Sequence, residues 1–167
     1  MKRGITKRER EVTDPGEILE ILNKSRVVHL AMVDGDEPYL VPLNYGYTME
    51  DGKLTLYVHG AVKGRKIDVL QANPKVFFSI ECDVQPFEGP VACRYGTTYA
   101  SLMGAGKAEI LTDVEEKKAG LSVLMKTQTG KDFTFDDRMV SIVSVIRISA
   151  DYYTAKKRPA PQRPEEV

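Results

Sequence analysis

The 167-residue chain has little of what several function classes require. It carries two cysteines, Cys82 and Cys93, too few for a disulfide framework. It carries two histidines, His29 and His59, and no CxxC, HxxxH or HExxH spacing, so nothing indicates a dedicated zinc or iron centre. Its 24 Lys and Arg balance its 24 Asp and Glu, which leaves no basic excess to displace counterions from DNA or RNA. No apolar run approaches the roughly 18 residues of a membrane span. The basic start, Met1 to Arg10, has no apolar stretch behind it and does not read as a secretory signal. With the low cysteine content, this makes a cytoplasmic protein the default and nucleic acid or a membrane an unexpected partner. Also missing are a GxSxG elbow for a Ser-His-Asp triad, a GxGxxG after a strand and a GxxxxGK[ST] loop. The neighbouring acids Glu115-Glu116 and Asp136-Asp137 read as solvated charge.

What is present is the patterning of one domain. Hydrophobic residues at 42% and charged residues at 29% are ordinary for a globular chain. Residues 14–155 form the expected domain, between a charged arm, 1–13, and a tail, 156–167. The arm reads either as a free tail or as a segment packed on a partner subunit. Asp14-Pro15-Gly16-Glu17 has the residues of a helix start, with Ile18, Ile21 and Leu22 on one face. Residues 26–33 and 38–47 read as a hairpin around Asp34-Gly35-Asp36-Glu37. A turn at Asp51-Gly52 leads to a strand at 54–59, with Leu54, Leu56 and Val58 on one side and Thr55, Tyr57 and His59 on the other. A short helix follows over 62–71, stopped by Asn73-Pro74. Next come a strand at 75–82, a loop at 83–90 and a long strand at 95–111 broken by Gly104 and Gly106. Thr112-Asp113 opens a third helix carrying Val114, Leu121 and Met125, then a polar loop spans 127–137 and a last strand 141–153. About six antiparallel strands with three short helices, and no βαβ alternation, predict a mainly β fold closed into a barrel.

The unusual segment is Leu56-Tyr57-Val58-His59-Gly60-Ala61-Val62-Lys63-Gly64-Arg65-Lys66. A strand delivers Tyr57 and His59, and two glycines lead into a helix whose start carries Lys63, Arg65 and Lys66. Basic residues there oppose the helix dipole, and a bound anion would resolve the conflict. The alternative is a surface turn with solvated cations. In Val41-Pro42-Leu43-Asn44-Tyr45-Gly46-Tyr47, Asn44 lies on the face opposite Leu43 and Tyr45. In Tyr99-Ala100-Ser101-Leu102-Met103-Gly104-Ala105-Gly106-Lys107, Ser101 shares a face with Tyr99 and could donate to a phosphate.

Taken in order, these pieces resemble the pyridoxamine 5′-phosphate oxidase-like flavin-binding split barrels, and within them the 5-nitroimidazole resistance (Nim-type) proteins. The matching residues are Glu37 to Tyr47, Leu56 to Ala61, Gly64-Arg65-Lys66, Tyr99 to Ala108, and a final strand ending at Thr154-Ala155-Lys156. The resemblance implies a six-stranded antiparallel Greek-key split barrel of the FMN-binding type. It implies a homodimer with FMN in a cleft at the subunit interface. By the same resemblance, the backbone near Leu43, Asn44 and Tyr45 faces the flavin ring, and His59 and Gly60 lie beside it. Lys66, with Arg65 nearby, holds the phosphate, Ser101 on the Tyr99 strand donates to it, and Lys156 approaches the site. The activity implied is that of an FMN-dependent oxidoreductase that reduces nitro-aromatic or related small acceptors, with His59 as the candidate proton donor. Residues specific for a vitamin B6 substrate are not recognisable, so that reaction is not expected. The alternative is a barrel that binds flavin, deazaflavin or haem without turnover, with His59 available to haem.

Overall fold

In a computed structural model that describes residues 5–161, the chain forms one antiparallel sheet that closes on itself. Its strands are β1 (Glu11–Val12), β2 (Val27–Asp34), β3 (Glu37–Glu50), β4 (Lys53–Ala61), β5 (Lys75–Phe87), β6 (Gly96–Ile110) and β7 (Val143–Arg158). The order is β1-β7-β4-β3-β2-β5-β6, and β6 pairs back onto β7, so β2 to β7 form a six-stranded barrel with β1 added outside. β5 returns to lie beside β2, which makes β5-β2-β3-β4 a Greek key. The expected fold class is therefore the one observed. Four helices accompany the barrel: α1 (Pro15–Lys24), α2 (Arg65–Ala72), α3 (Val114–Thr129) and α4 (Asp137–Ser141). Among the described residues, no helix is long and apolar enough to cross a membrane.

Local chemistry accounts for most boundaries. The Asp14 carboxylate accepts from Glu17 N at 2.9 Å with Pro15 in the first turn, and α1 buries Ile18, Ile21 and Leu22. Asp51 and Gly52 both have positive φ, 49° and 76°, as a two-residue turn between twisted strands requires. Period-two alternation then builds the core. Val28, Leu30, Leu56, Val58, Phe78 and Ile148 point inward and are fully buried. Gly104 lies directly beneath the Phe78 ring, where a side chain would collide with it.

Several elements differ from the sequence expectation. The loop expected over 83–90 begins as strand: β5 runs on to Phe87 through a bulge between Cys82 and Gln85. Asp83 takes positive φ there, 55°, and the Thr98 hydroxyl donates to Asp83 O at 2.7 Å. Pro86 fits because this ribbon extends as a two-strand edge. α3 continues to Thr129, ending at Gly130 in the left-handed region, so the expected loop loses its first residues. α4, capped by Asp136, was not expected. β7 starts at Val143 and reaches Arg158, which takes Lys156 out of the expected tail and into the sheet. Part of the arm is also in the sheet: Glu11 pairs with Lys156 and Val12 with Ala155 of the same chain. The rest of the tail from 162, and arm residues 1–4, lie outside the described residues.

Candidate functional site

The barrel has a seam. β3 pairs with β2 through Asn44, its ladder with β4 begins at Tyr45 opposite Val58, and β4 continues along β7 to Ala61. Residues 42–44 and 59–61 therefore have no ladder partner across the gap between them. They form two lips with backbone groups free for a planar ligand that carries hydrogen-bonding edges. Sequence reasoning named Leu43, Asn44, Tyr45, His59 and Gly60 but could not show that one register break brings them together.

Lys66 lies at one lip. A Cβ built on Gly60 would sit 2.6 Å from Lys66 Nζ, so the ammonium rests against the Gly60 backbone and a side chain there would displace it. Loss of water pushes the Lys66 pKa down, and no acid among the described residues offsets it. The imidazole of His59 is also pushed below its ordinary value, first by partial burial and then by the Lys66 charge. Two nitrogen bases thus share a site with no carboxylate. α2 begins beside them at Gly64, φ 132°, with no side chain capping its first turn. Such an arrangement attracts an anion.

The other predicted residues separate into groups. Tyr45 belongs to the core by its side chain: its hydroxyl donates to Leu22 O at 2.7 Å, and burial pushes the phenol pKa up. Its backbone remains at the seam. Asn44 turns its amide to Arg26 O at 3.1 Å, and Leu43 packs partly into the core.

Arg65 has acidic partners. Its guanidinium donates to Asp34 at 2.7 Å and to Glu37 at 2.9 Å, and it stacks on Tyr39 at 4.4 Å. It fastens α2 to the β2–β3 turn. Tyr99 and Ser101 lie elsewhere on the sheet of the same chain. Ser101 lies opposite Glu81 and Lys156, whereas His59 lies opposite Val145. Those β7 positions are eleven residues apart, about 35 Å of strand, so within one subunit Ser101 does not lie beside His59.

Two contacts on the strand edge beside the seam escaped the sequence reading. Gln128 donates to Tyr45 O at 2.7 Å and to Arg26 O at 3.1 Å, and Thr127 accepts from Tyr47 N at 3.3 Å. Both fell in the expected loop. Gly130 after a polar turn was the available signal that the helix extends that far.

A family profile described as pyridoxamine 5′-phosphate oxidase matches residues 14–157. A candidate 5-nitroimidazole antibiotic resistance protein from Bacteroides thetaiotaomicron is 30% identical, with a TM-score of 0.76 over 88% of this chain and 86% of its own. The flavocytochrome Anf3 from Azotobacter vinelandii (17% identity, TM-score 0.77, covering 98% of this chain and 76% of its own) shares the fold. So does an FAD- and haem-binding protein from Mycobacterium smegmatis (15%, 0.76, 94% and 78%). No match exists among the curated proteins. The profile match across nearly the whole barrel, with the 30% identity, shows that the chain belongs to the pyridoxamine 5′-phosphate oxidase family.

Proposed function

We propose that the chain is an FMN-dependent oxidoreductase that works as a homodimer on small acceptors, nitro-aromatic compounds among them. The observation that carries this reading is the Lys66 ammonium, partly buried, free of acids and resting on Gly60 at the edge of the seam. A phosphate fits there by charge. The free backbone of residues 43–44 and 59–60 suits the hydrogen-bonding edge of a flavin ring. Bound FMN would supply the redox chemistry, taking electrons from a donor and passing them to an acceptor. The chain's own part is to anchor the phosphate on Lys66, orient the ring between the lips and leave one ring face open.

His59 adds proton chemistry. Its depressed pKa favours the neutral imidazole near neutral pH, so it accepts a proton more readily than it donates one. A phosphate beside Lys66 offsets the ammonium and moves His59 back upward, toward the donor form.

The dimer reading rests on the outer face of the sheet. The ladders place Leu40, Ala31, Phe77, Ala105 and Tyr152 side by side across five strands. Leu40 is 55% exposed and Met103, one row away, 42%. A contiguous apolar belt of this kind is uncommon on a monomer. It runs beside the β3 lip and beside Ser101 and Lys156. A second copy on the belt would cover it and could bring its own Ser101 and Lys156 to the phosphate.

The nitro-aromatic acceptor follows from the description of the Bacteroides protein. The test is the visible spectrum of protein purified without added cofactor, with the released chromophore weighed. FMN near one per subunit, reduced by a nicotinamide without air and reoxidised by a nitroimidazole, supports the reading. A haem band, a deazaflavin or a flavin that no donor reduces favours the binding protein without turnover. No chromophore, and no uptake of added FMN, overturns both.

A further inference from the structure

The seam needs something to hold its β3 lip in place. Along residues 37–44 that strand is held by β2, and from Tyr45 onward β2 is absent. The edge left open is taken by the last turns of α3. Gly46 makes this possible. A side chain there would collide with the backbone of Leu124, so helix and strand meet backbone to backbone. At that distance the Gln128 amide reaches Tyr45 O at 2.7 Å and Arg26 O at 3.1 Å. Arg26 O also accepts the Asn44 amide at 3.1 Å. Gln128 thus joins the residue before β2, the last rung of the β3–β4 ladder and, through a shared carbonyl, the lip itself.

We propose that Gln128 is a positioning residue for the flavin ring, fixing where β3 leaves β4 and so the width of the seam. The inference rests on the flavin reading and assigns it a part of the chain that neither the motifs nor the phosphate site includes. It separates the two ends of the ligand: Lys66 governs the phosphate, Gln128 the ring.

The test compares Gln128→Leu, which loses both donors, with Gln128→Glu, which keeps the length but cannot donate when ionised. Thr127→Val is the structural control. Thr127 accepts from Tyr47 N on the same strand edge, two residues further into the β3–β4 ladder, and its loss loosens the helix without touching the lip. Each variant is titrated with FMN and with riboflavin by fluorescence quenching, and the bound flavin's absorption bands and midpoint potential are recorded beside the melting temperature. Loss of one or two hydrogen bonds predicts about three- to tenfold weaker binding of both flavins, by the same factor, with shifted bands and potential. Thr127→Val is expected to lower the melting temperature while leaving affinity and bands in place. Unchanged affinity and bands in both Gln128 variants overturn the inference, as does a loss confined to FMN or the same spectral shift in Thr127→Val. If the parent protein binds neither flavin, the functional reading itself falls. If the parent binds and the Gln128 variants match it, the positioning role alone falls.

Discussion

Replacing Lys66 with methionine separates two roles of its ammonium that have opposite signs. In the folded chain the ammonium is drawn from water with no acid beside it, and its pKa falls below the ordinary 10.5. Between the folded value and 10.5 the unfolded chain therefore binds more protons, and stability rises with pH across that window. Below the window the folded chain carries the full penalty of the charge. Methionine has a similar length and no charge, so the ligand-free variant should melt no lower than the parent at neutral pH. FMN binding should move the other way. A charge-assisted hydrogen bond to phosphate contributes about 1.5–3 kcal/mol, which is about ten- to a hundredfold in affinity. Riboflavin, the same ring without the phosphate, should bind both proteins within about twofold, a few tenths of a kcal/mol. The assay is fluorescence-quenching titration of both flavins at about 0.15 M salt, where exposed charges are screened and a partly buried one is not. Equal weakening of FMN and riboflavin would place Lys66 at the ring. Unchanged FMN affinity would remove it from the site.

Three further outcomes follow from the same geometry. Arg65→Ala breaks the bonds to Asp34 and Glu37 but should leave the FMN-to-riboflavin affinity ratio within about twofold of the parent, because that guanidinium is already paired; a ratio reduced as in Lys66→Met would assign Arg65 to the phosphate. Gly46→Ala drives a methyl into the backbone of α3 and should cost about 1–3 kcal/mol, a drop of about 3–10 °C in melting temperature, and an unchanged melt would contradict the packing. His59, held below its ordinary 6.5, makes the ligand-free protein lose stability as pH falls from about 6.5 through the folded value; His59→Gln should flatten that slope, and an unaltered profile would show that the histidine is not so perturbed.

Much of the fold was readable because its signals are local. The Asp14 cap, the Asp51-Gly52 turn and the alternation of Leu54, Leu56 and Val58 each depend on residues a few positions apart. The strand-to-helix junction carrying His59, Gly60 and Lys66 was readable for the same reason. What escaped depends on distant partners. Pro86 marked a loop, yet its position on a two-strand ribbon spares it the need for a donor. The partners of Arg65, Asp34 and Glu37, lie some thirty residues earlier, and nothing in its own segment announces them. The seam is a property of register, and no single strand reveals where its ladder will stop. Gln128 reaches across the fold to a carbonyl 83 positions away, and nothing in its own neighbourhood announces that contact.

The most direct test of the account is a crystal structure of the protein with FMN. The account predicts the phosphate within hydrogen-bonding reach of Lys66 Nζ beside Gly60, and the ring between residues 43–45 and 59–60. A phosphate held away from Lys66, or a ring lying outside the seam, would contradict it.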